Sequence, residues 1–244
     1  MSSGQEEINL DKRRMKQVND DIKFTTKERY SFTIPIFEAQ LENVDNRALA
    51  EFSRTLRDTT EGVTISNRGG WHSKDLPENL PTVLIEFLNT LERYAQEFIG
   101  QYTGVNDLVL GNLWININGP NDYNAEHDHQ NSVLSGVYYI EVPQGDSGDL
   151  HLHRGDTAEY FLGRYRNAGP FFRTTETVKP ETGKLVIFPA WTKHSVGRNN
   201  TNSERISIAF NLVDGEKANA QVKPVQKVEQ PQPVKRAATS WGQW

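Results

Sequence analysis

The chain has no cysteine in its 244 residues. That excludes disulfides, thiolate metal sites, iron–sulfur clusters and cysteine nucleophiles. Long apolar runs are missing as well. Stretches such as Leu185 to Phe188 fall far short of the roughly 20 residues that span a bilayer. The first residues, Met1-Ser2-Ser3-Gly4-Gln5-Glu6-Glu7, carry no apolar signal core. Excess positive charge is also lacking. With 27 Lys and Arg against 32 Asp and Glu, the net charge is −5, and the pI is near 5.7. Such a chain carries no strong nucleic-acid signal, because backbone binding rests on clustered cations. A soluble, cytoplasmic protein without a membrane partner is the expectation.

A hydrophobic fraction of 36% and an aromatic fraction of 10% support a buried core with solvated ends. Residues 1–28 are polar and charged and read as a mobile leader. Tyr30 to Phe37 alternates as a strand, with Pro35 marking it as an edge. Asp45 to Thr59 reads as a helix capped by Asp45, with Leu49, Phe52 and Leu56 on one face. Asn67 to Ser73 is a loop with paired glycines, in which Trp71 and His72 are candidates to face a substrate or to pack as a corner. Pro77 to about Tyr102 is a long helix. Its apolar stripe of Leu84, Phe87, Leu88, Leu91, Tyr94, Ala95 and Phe98 belongs to a core, and Gly100 and Gly104 are stops.

From Leu108 the pattern changes to short strands and turns. Leu113, Ile115 and Ile117 make one face of a strand; Trp114, Asn116 and Asn118 make the other. Further strands are expected over 133–142, 149–153, 184–188 and 205–212, with a long aromatic loop over 154–175. The reading is a mainly β, α+β protein. Its core, about 108–213 within a domain 29–213, is a cupin-like jelly roll, a double-stranded β-helix buttressed by the preceding helices. Residues 214–244, rich in Lys, Gln, Pro, Val and Ala, read as a disordered tail. Trp241 and Trp244 in that tail are candidates for partner docking.

The chemistry centres on Glu126-His127-Asp128-His129-Gln130. Side chains two apart on an extended segment share a face, so His127 and His129 can hold one metal. His194, just after the strand ending in Phe188-Pro189, is the candidate third ligand. A second pair, His151 and His153, lacks such support. The last strand alternates too: Ile206, Ile208, Phe210 and Leu212 face one way; Arg205, Ser207, Ala209 and Asn211 the other. On an inner face a buried Arg beside a Ser needs an anionic partner. Arg forks onto a carboxylate and Ser adds a donor. A dicarboxylate held there by its far end could chelate the metal with its near end.

These residues resemble the 2-oxoglutarate/Fe(II)-dependent oxygenases. More narrowly, four stretches resemble a subfamily found in marine bacteria and their phages: Ser66 to Ser73, His127 to Tyr139, Phe188 to His194, and Arg205 to Asn211. The resemblance covers roughly residues 30–213. It implies a double-stranded β-helix, Fe(II) held by His127, the residue two later and His194, and 2-oxoglutarate held by Arg205 and Ser207. It further implies a cosubstrate contact for Tyr139 and a contribution from Asn116. The general pattern has a carboxylate where this chain has His129; His129 is the first choice and Asp128 the second. The implied reaction decarboxylates 2-oxoglutarate to succinate and CO2 and oxidises a bound substrate, with the aromatic loop and the Trp71 loop as its walls. The substrate is open among a peptide, a nucleotide and a small metabolite. A phage origin would place the protein in a host cytoplasm or a virion.

Two rival readings remain. A cupin, whether a dioxygenase without oxoglutarate or a metal-binding module, fits Gly183 to His194 but not the absence of Glu from 130–135. A structural virion protein that kept the fold and lost activity fits the charged leader and the Trp-ended tail.

Overall fold

The computed structural model describes residues 33–74, 76, 79–105, 107–156 and 173–216. The leader, the 157–172 part of the aromatic loop, and the tail with Trp241 and Trp244 lie outside the described residues. Among the described residues there are eleven strands in two antiparallel sheets. They are β1 (Phe37–Gln40), β2 (Asn67–Arg68), β3 (Trp71–His72), β4 (Leu108–Asn118), β5 (Tyr123–His127), β6 (Leu134–Glu141), β7 (Leu150–His153), β8 (Thr175–Val178), β9 (Lys184–Pro189), β10 (His194–Val196) and β11 (Arg205–Asp214). One sheet has the order β1-β9-β6-β11-β4-β3, the other β2-β5-β10-β7-β8. From β4 onward the chain alternates between the sheets, except at the β7–β8 step within the second. That winding is the expected double-stranded β-helix.

The period-two alternation of the first sheet builds two apolar layers. Ile115, Ile117, Tyr138, Ile140, Leu185, Ile187, Ile206, Ile208 and Phe210 point outward and are covered by helices. Tyr139, Val186 and Phe188 point inward and meet Leu150 and Leu152 of the second sheet. Helix α1 (Asn46–Thr59) is capped as expected, Asp45 accepting from the Ala48 amide at 3.0 Å. Its Leu49 and Leu56 are buried on the sheet, with Phe52 partly so. The Tyr138 hydroxyl donates to Asn46 Oδ1 at 2.8 Å and ties the helix start to β6. Helix α2 (Thr82–Tyr94) buries Leu84, Phe87 and Leu91. Each such side chain contributes roughly 1.5–3 kcal/mol.

Three boundaries differ from the sequence reading. The long helix starts at Thr82, not Pro77, with Pro81 at its N-cap position. It runs through a π-helical turn, Ala95–Ile99, into α3 (Gly100–Thr103), and stops at Gly104 with φ +70°. The wider turn puts Ile99 in the core and leaves Phe98 55% exposed, and it carries the helix through Gly100. The first strand is the edge strand β1, but it begins at Phe37, after Pro35, which has no N–H to give a ladder. The paired-glycine loop is two short strands: Gly69 (φ +71°) and Gly70 (φ +67°) turn the chain from β2 in the second sheet to β3 in the first.

Gly136 on β6 faces Phe210 on β11, and a Cβ there would lie 2.3 Å from the ring. Gly136→Ala is therefore expected to lower stability by about 1–3 kcal/mol, read as a reduced urea midpoint with an unchanged slope.

Candidate active site

Four rungs cross the inner face of the first sheet, set by the register of β11 with its neighbours. Arg205 pairs with Asn118; Ser207 lies between Asn116 and Tyr139; Ala209 between Trp114 and Val137; Asn211 between Asn112 and Ser135. The end of β5 and the start of β10 bring histidines over this face, since His127 and His194 are register partners. β5 ends at His127, and the His129 amide donates to the Ala190 carbonyl at 3.0 Å, which holds the following residues beside the turn before β10.

One ring nitrogen from each of His127, His129 and His194 lies within 4.8 Å of the others. The chemistry of the set fits a metal. His127 Nδ1 lies 2.8 Å from the Ala125 carbonyl, His194 Nδ1 2.9 Å from the Thr192 carbonyl, and His129 Nδ1 2.7 Å from Asn211 Oδ1. Oxygen acceptors require Nδ1–H in each ring, which leaves every Nε2 with a free lone pair. Burial, with the neighbouring His127 adding to it, pushes His194 down to about 3. Burial likewise lowers His127 and His129. All three rings are thus neutral near pH 7, the state a ligand needs. Asp128 is exposed and outside the cluster. His151 and His153 stay apart from it: His151 bonds Thr177, and His153 bonds Ser195 and Thr175.

The pocket that holds the three histidines continues to Tyr139, Ser207, Asn116 and Arg205. Arg205 is 2% exposed. One of its terminal nitrogens donates to the Ser147 and Gly148 carbonyls at 2.5 and 2.7 Å, and its Nε has no partner. Among the described residues no carboxylate lies within ion-pairing distance of it. Burial lowers its pKa, against the more distant pull of Tyr139, Asp122 and Asp149. An uncompensated buried guanidinium costs several kcal/mol, so this end of the pocket favours an anion. Gly148 makes the seat possible: at φ +90°, a Cβ would lie 2.0 Å from the Gly197 carbonyl and 2.9 Å from the guanidinium. Burial pushes the Tyr139 phenol up to about 12, so it remains a donor.

A second, wider cavity of about 900 Å³ shares His127, His129 and Trp114 with this pocket and is lined also by Leu80, Leu88, Leu113 and His72. Trp114 stacks between His72 and His129, with centroids 5.6 and 5.3 Å away. His72 is 7% exposed, and its Nδ1 has no partner. Of the loop pair singled out in the sequence, only His72 lines this cavity. Trp71 packs toward the helix-backed core and donates to the Thr60 carbonyl at 3.3 Å. The sequence reading missed Asn211, Asn118, Ser135 and Asn112. Asn211 and Asn118 share the strand parity of Arg205 and Asn116, which was the available signal.

Residues 112–211 match the family model described as "Putative 2OG-Fe(II) oxygenase". No curated protein matches the chain. Among solved structures, a prolyl-4-hydroxylase from Pseudomonas putida is similar at 18% identity and a TM-score of 0.55, over 74% of this chain and 93% of that one. A prolyl hydroxylase from Trichoplax adhaerens, in complex with a peptide of hypoxia inducible factor, gives 12% and 0.53, over 78% and 87%. HygX from Streptomyces hygroscopicus, with nickel and 2-oxoglutarate bound, gives 14% and 0.51, over 74% and 83%. At these identities the structures establish the shared double-stranded β-helix. The family match spans residues 112–211, the part of the chain that carries the three histidines, Tyr139 and Arg205.

The low pKa of His194 has a consequence for the metal-free protein. Between pH 6.5 and about 3 the unfolded chain binds the proton that folded His194 refuses. Stability is therefore unaffected above pH 6.5 and falls as the pH drops through that window, by an amount on the order of a few kcal/mol at its foot. Urea midpoints of the metal-free protein should fall from pH 7 to pH 4, and His194→Gln should flatten that slope.

Proposed function

We propose that the protein is a hydroxylase that couples decarboxylation of 2-oxoglutarate to oxidation of a substrate held in the wider cavity. His127, His129 and His194 hold the iron. Arg205 binds the C5 carboxylate, with Ser207 and Tyr139 as further donors and Asn116 beside them. The observation that carries this reading is the buried, carboxylate-free Arg205 in the same pocket as the three histidines. A cupin site has no use for such a cation.

The iron and 2-oxoglutarate supply the oxidising power when bound. The chain supplies placement. Arg205 presents parallel donors that fix the far carboxylate and so the direction of the cosubstrate. Tyr139 and Ser207 add hydrogen bonds from adjacent strands, and the inner wall of Leu150, Val196 and Phe188 keeps water from its length. Trp114 separates the cosubstrate pocket from the substrate cavity and borders both. Trp71 and His72 were the substrate-side candidates, and His72 is the one whose free Nδ1 can receive or give a hydrogen bond there. The narrower likeness to proteins of marine bacteria and their phages rests on the four sequence stretches, and a peptide, a nucleotide or a small metabolite is the substrate class.

With Mn(II) in place of iron, calorimetry should show 2-oxoglutarate binding one to one to the wild type. Arg205→Ala should weaken that binding at least about 30-fold, because a buried ionic partner is lost, while Mn(II) still binds. Mn(II) binding without oxoglutarate binding in the wild type would favour the cupin reading; binding of neither by folded protein would favour a structural role.

A further inference from the structure

The three histidines are not held alike. His127 and His194 each give Nδ1–H to a carbonyl two residues earlier in their own segments, Ala125 and Thr192. Backbone supplies those acceptors whatever the side chains are. His129 instead depends on a side chain 82 positions away, the amide of Asn211 on β11. Asn211 is 5% exposed, and both its amide oxygen and its amide nitrogen are hydrogen-bonded. Its Oδ1 accepts from His129 Nδ1 and from the Ser135 hydroxyl, both at 2.7 Å, and its Nδ2 donates to Asn112 Oδ1 at 2.8 Å. Turned over, the amide would present an N–H to His129. Nδ1 would then be the acceptor, the proton would sit on Nε2, and the ring could not ligate through that nitrogen. In the observed orientation the Nδ2–H goes to Asn112 on β4, while the Ser135 hydroxyl on β6 can donate or accept and does not choose between the two orientations.

We propose that Asn211 is a positioning residue of the metal centre, which holds His129 in the Nδ1–H tautomer and so makes a neutral imidazole usable at the middle ligand position. This inference rests on His129 being a ligand. Its substance is that the acceptor oxygen at position 211 sets metal affinity. The polar volume there does not.

The test compares near-isosteric changes. In Asn211→Asp the acceptor is kept, and the exposed Asn112 amide can rotate to donate to it. In Asn211→Leu the volume is kept and the acceptor is lost. Co(II) affinity, measured by chelator competition on the full chain, should fall about 10- to 100-fold in Asn211→Leu and stay at or above the wild-type level in Asn211→Asp. Ser135→Ala, which removes only a competing donor, should change it less than about threefold. Imidazole 15N spectra of the metal-free wild type should show His129 as Nδ1–H, a readout that needs no variant to fold. Equal weakening in the Leu and Asp variants, unchanged affinity in the Leu variant, or an Nε2–H tautomer in the wild type would each overturn the proposal. His129→Ala separates this from the reading beneath it. If His129→Ala binds Co(II) as the wild type does, His129 is not a ligand and the site reading itself fails. If it weakens binding and Asn211→Leu does not, only the role of Asn211 is lost.

Discussion

Strand β11 carries two opposed demands at a spacing of one residue. Ile206, Ile208, Phe210 and Leu212 must be dry against the helices, while Arg205, Ser207 and Asn211 must be polar and buried against the other sheet. A slip of one residue would put the guanidinium in the core and the isoleucines in the pocket, so the register with β4 and β6 is strongly specified. Everything chemical in the pocket follows from that register. It sets Tyr139 beside Ser207, Asn118 beside Arg205 and Ser135 beside Asn211. The cost of burying Arg205 without a carboxylate is met elsewhere in the fold, by Gly148, whose missing side chain lets two carbonyls approach the guanidinium.

The histidine centre shows the same economy. Three neutral imidazoles would bring no negative charge to a divalent ion, so such a centre would be one charge more positive than one with a carboxylate ligand. Arg205 adds a further positive charge at the other end of the pocket. A dianion spanning the two ends would offset both charges. The burial that lowers the histidine pKa values acts in the same direction, because it keeps the rings neutral for the metal.

Much of this was legible in the sequence, and for stated reasons. Strict alternation over 113–118 and 205–212 revealed both faces of β4 and β11, because a strand buried on one side by helices and on the other by a sheet still keeps its period. Asp45 marked the start of α1 by its capping chemistry. The π-turn is not legible, since nothing in Ala95 to Ile99 breaks helical propensity; a regular helix would place Phe98 in the core that Ile99 occupies. Trp71 and His72 adjoin in the sequence, but neighbours on a strand face opposite ways, and only His72 reaches the cavity. Asn211 carries no signal beyond its parity, because an asparagine on a polar face looks like solvation until the position of the partner strand is known.

The most direct measurement is an anaerobic titration of the Fe(II)-loaded protein with 2-oxoglutarate, followed by visible absorption, with succinate as the control. A keto acid that chelates the iron gives a charge-transfer band, and a plain dicarboxylate does not. A saturable band is expected at one equivalent of 2-oxoglutarate and none with succinate. Iron that stays bound while 2-oxoglutarate produces no band would contradict this expectation.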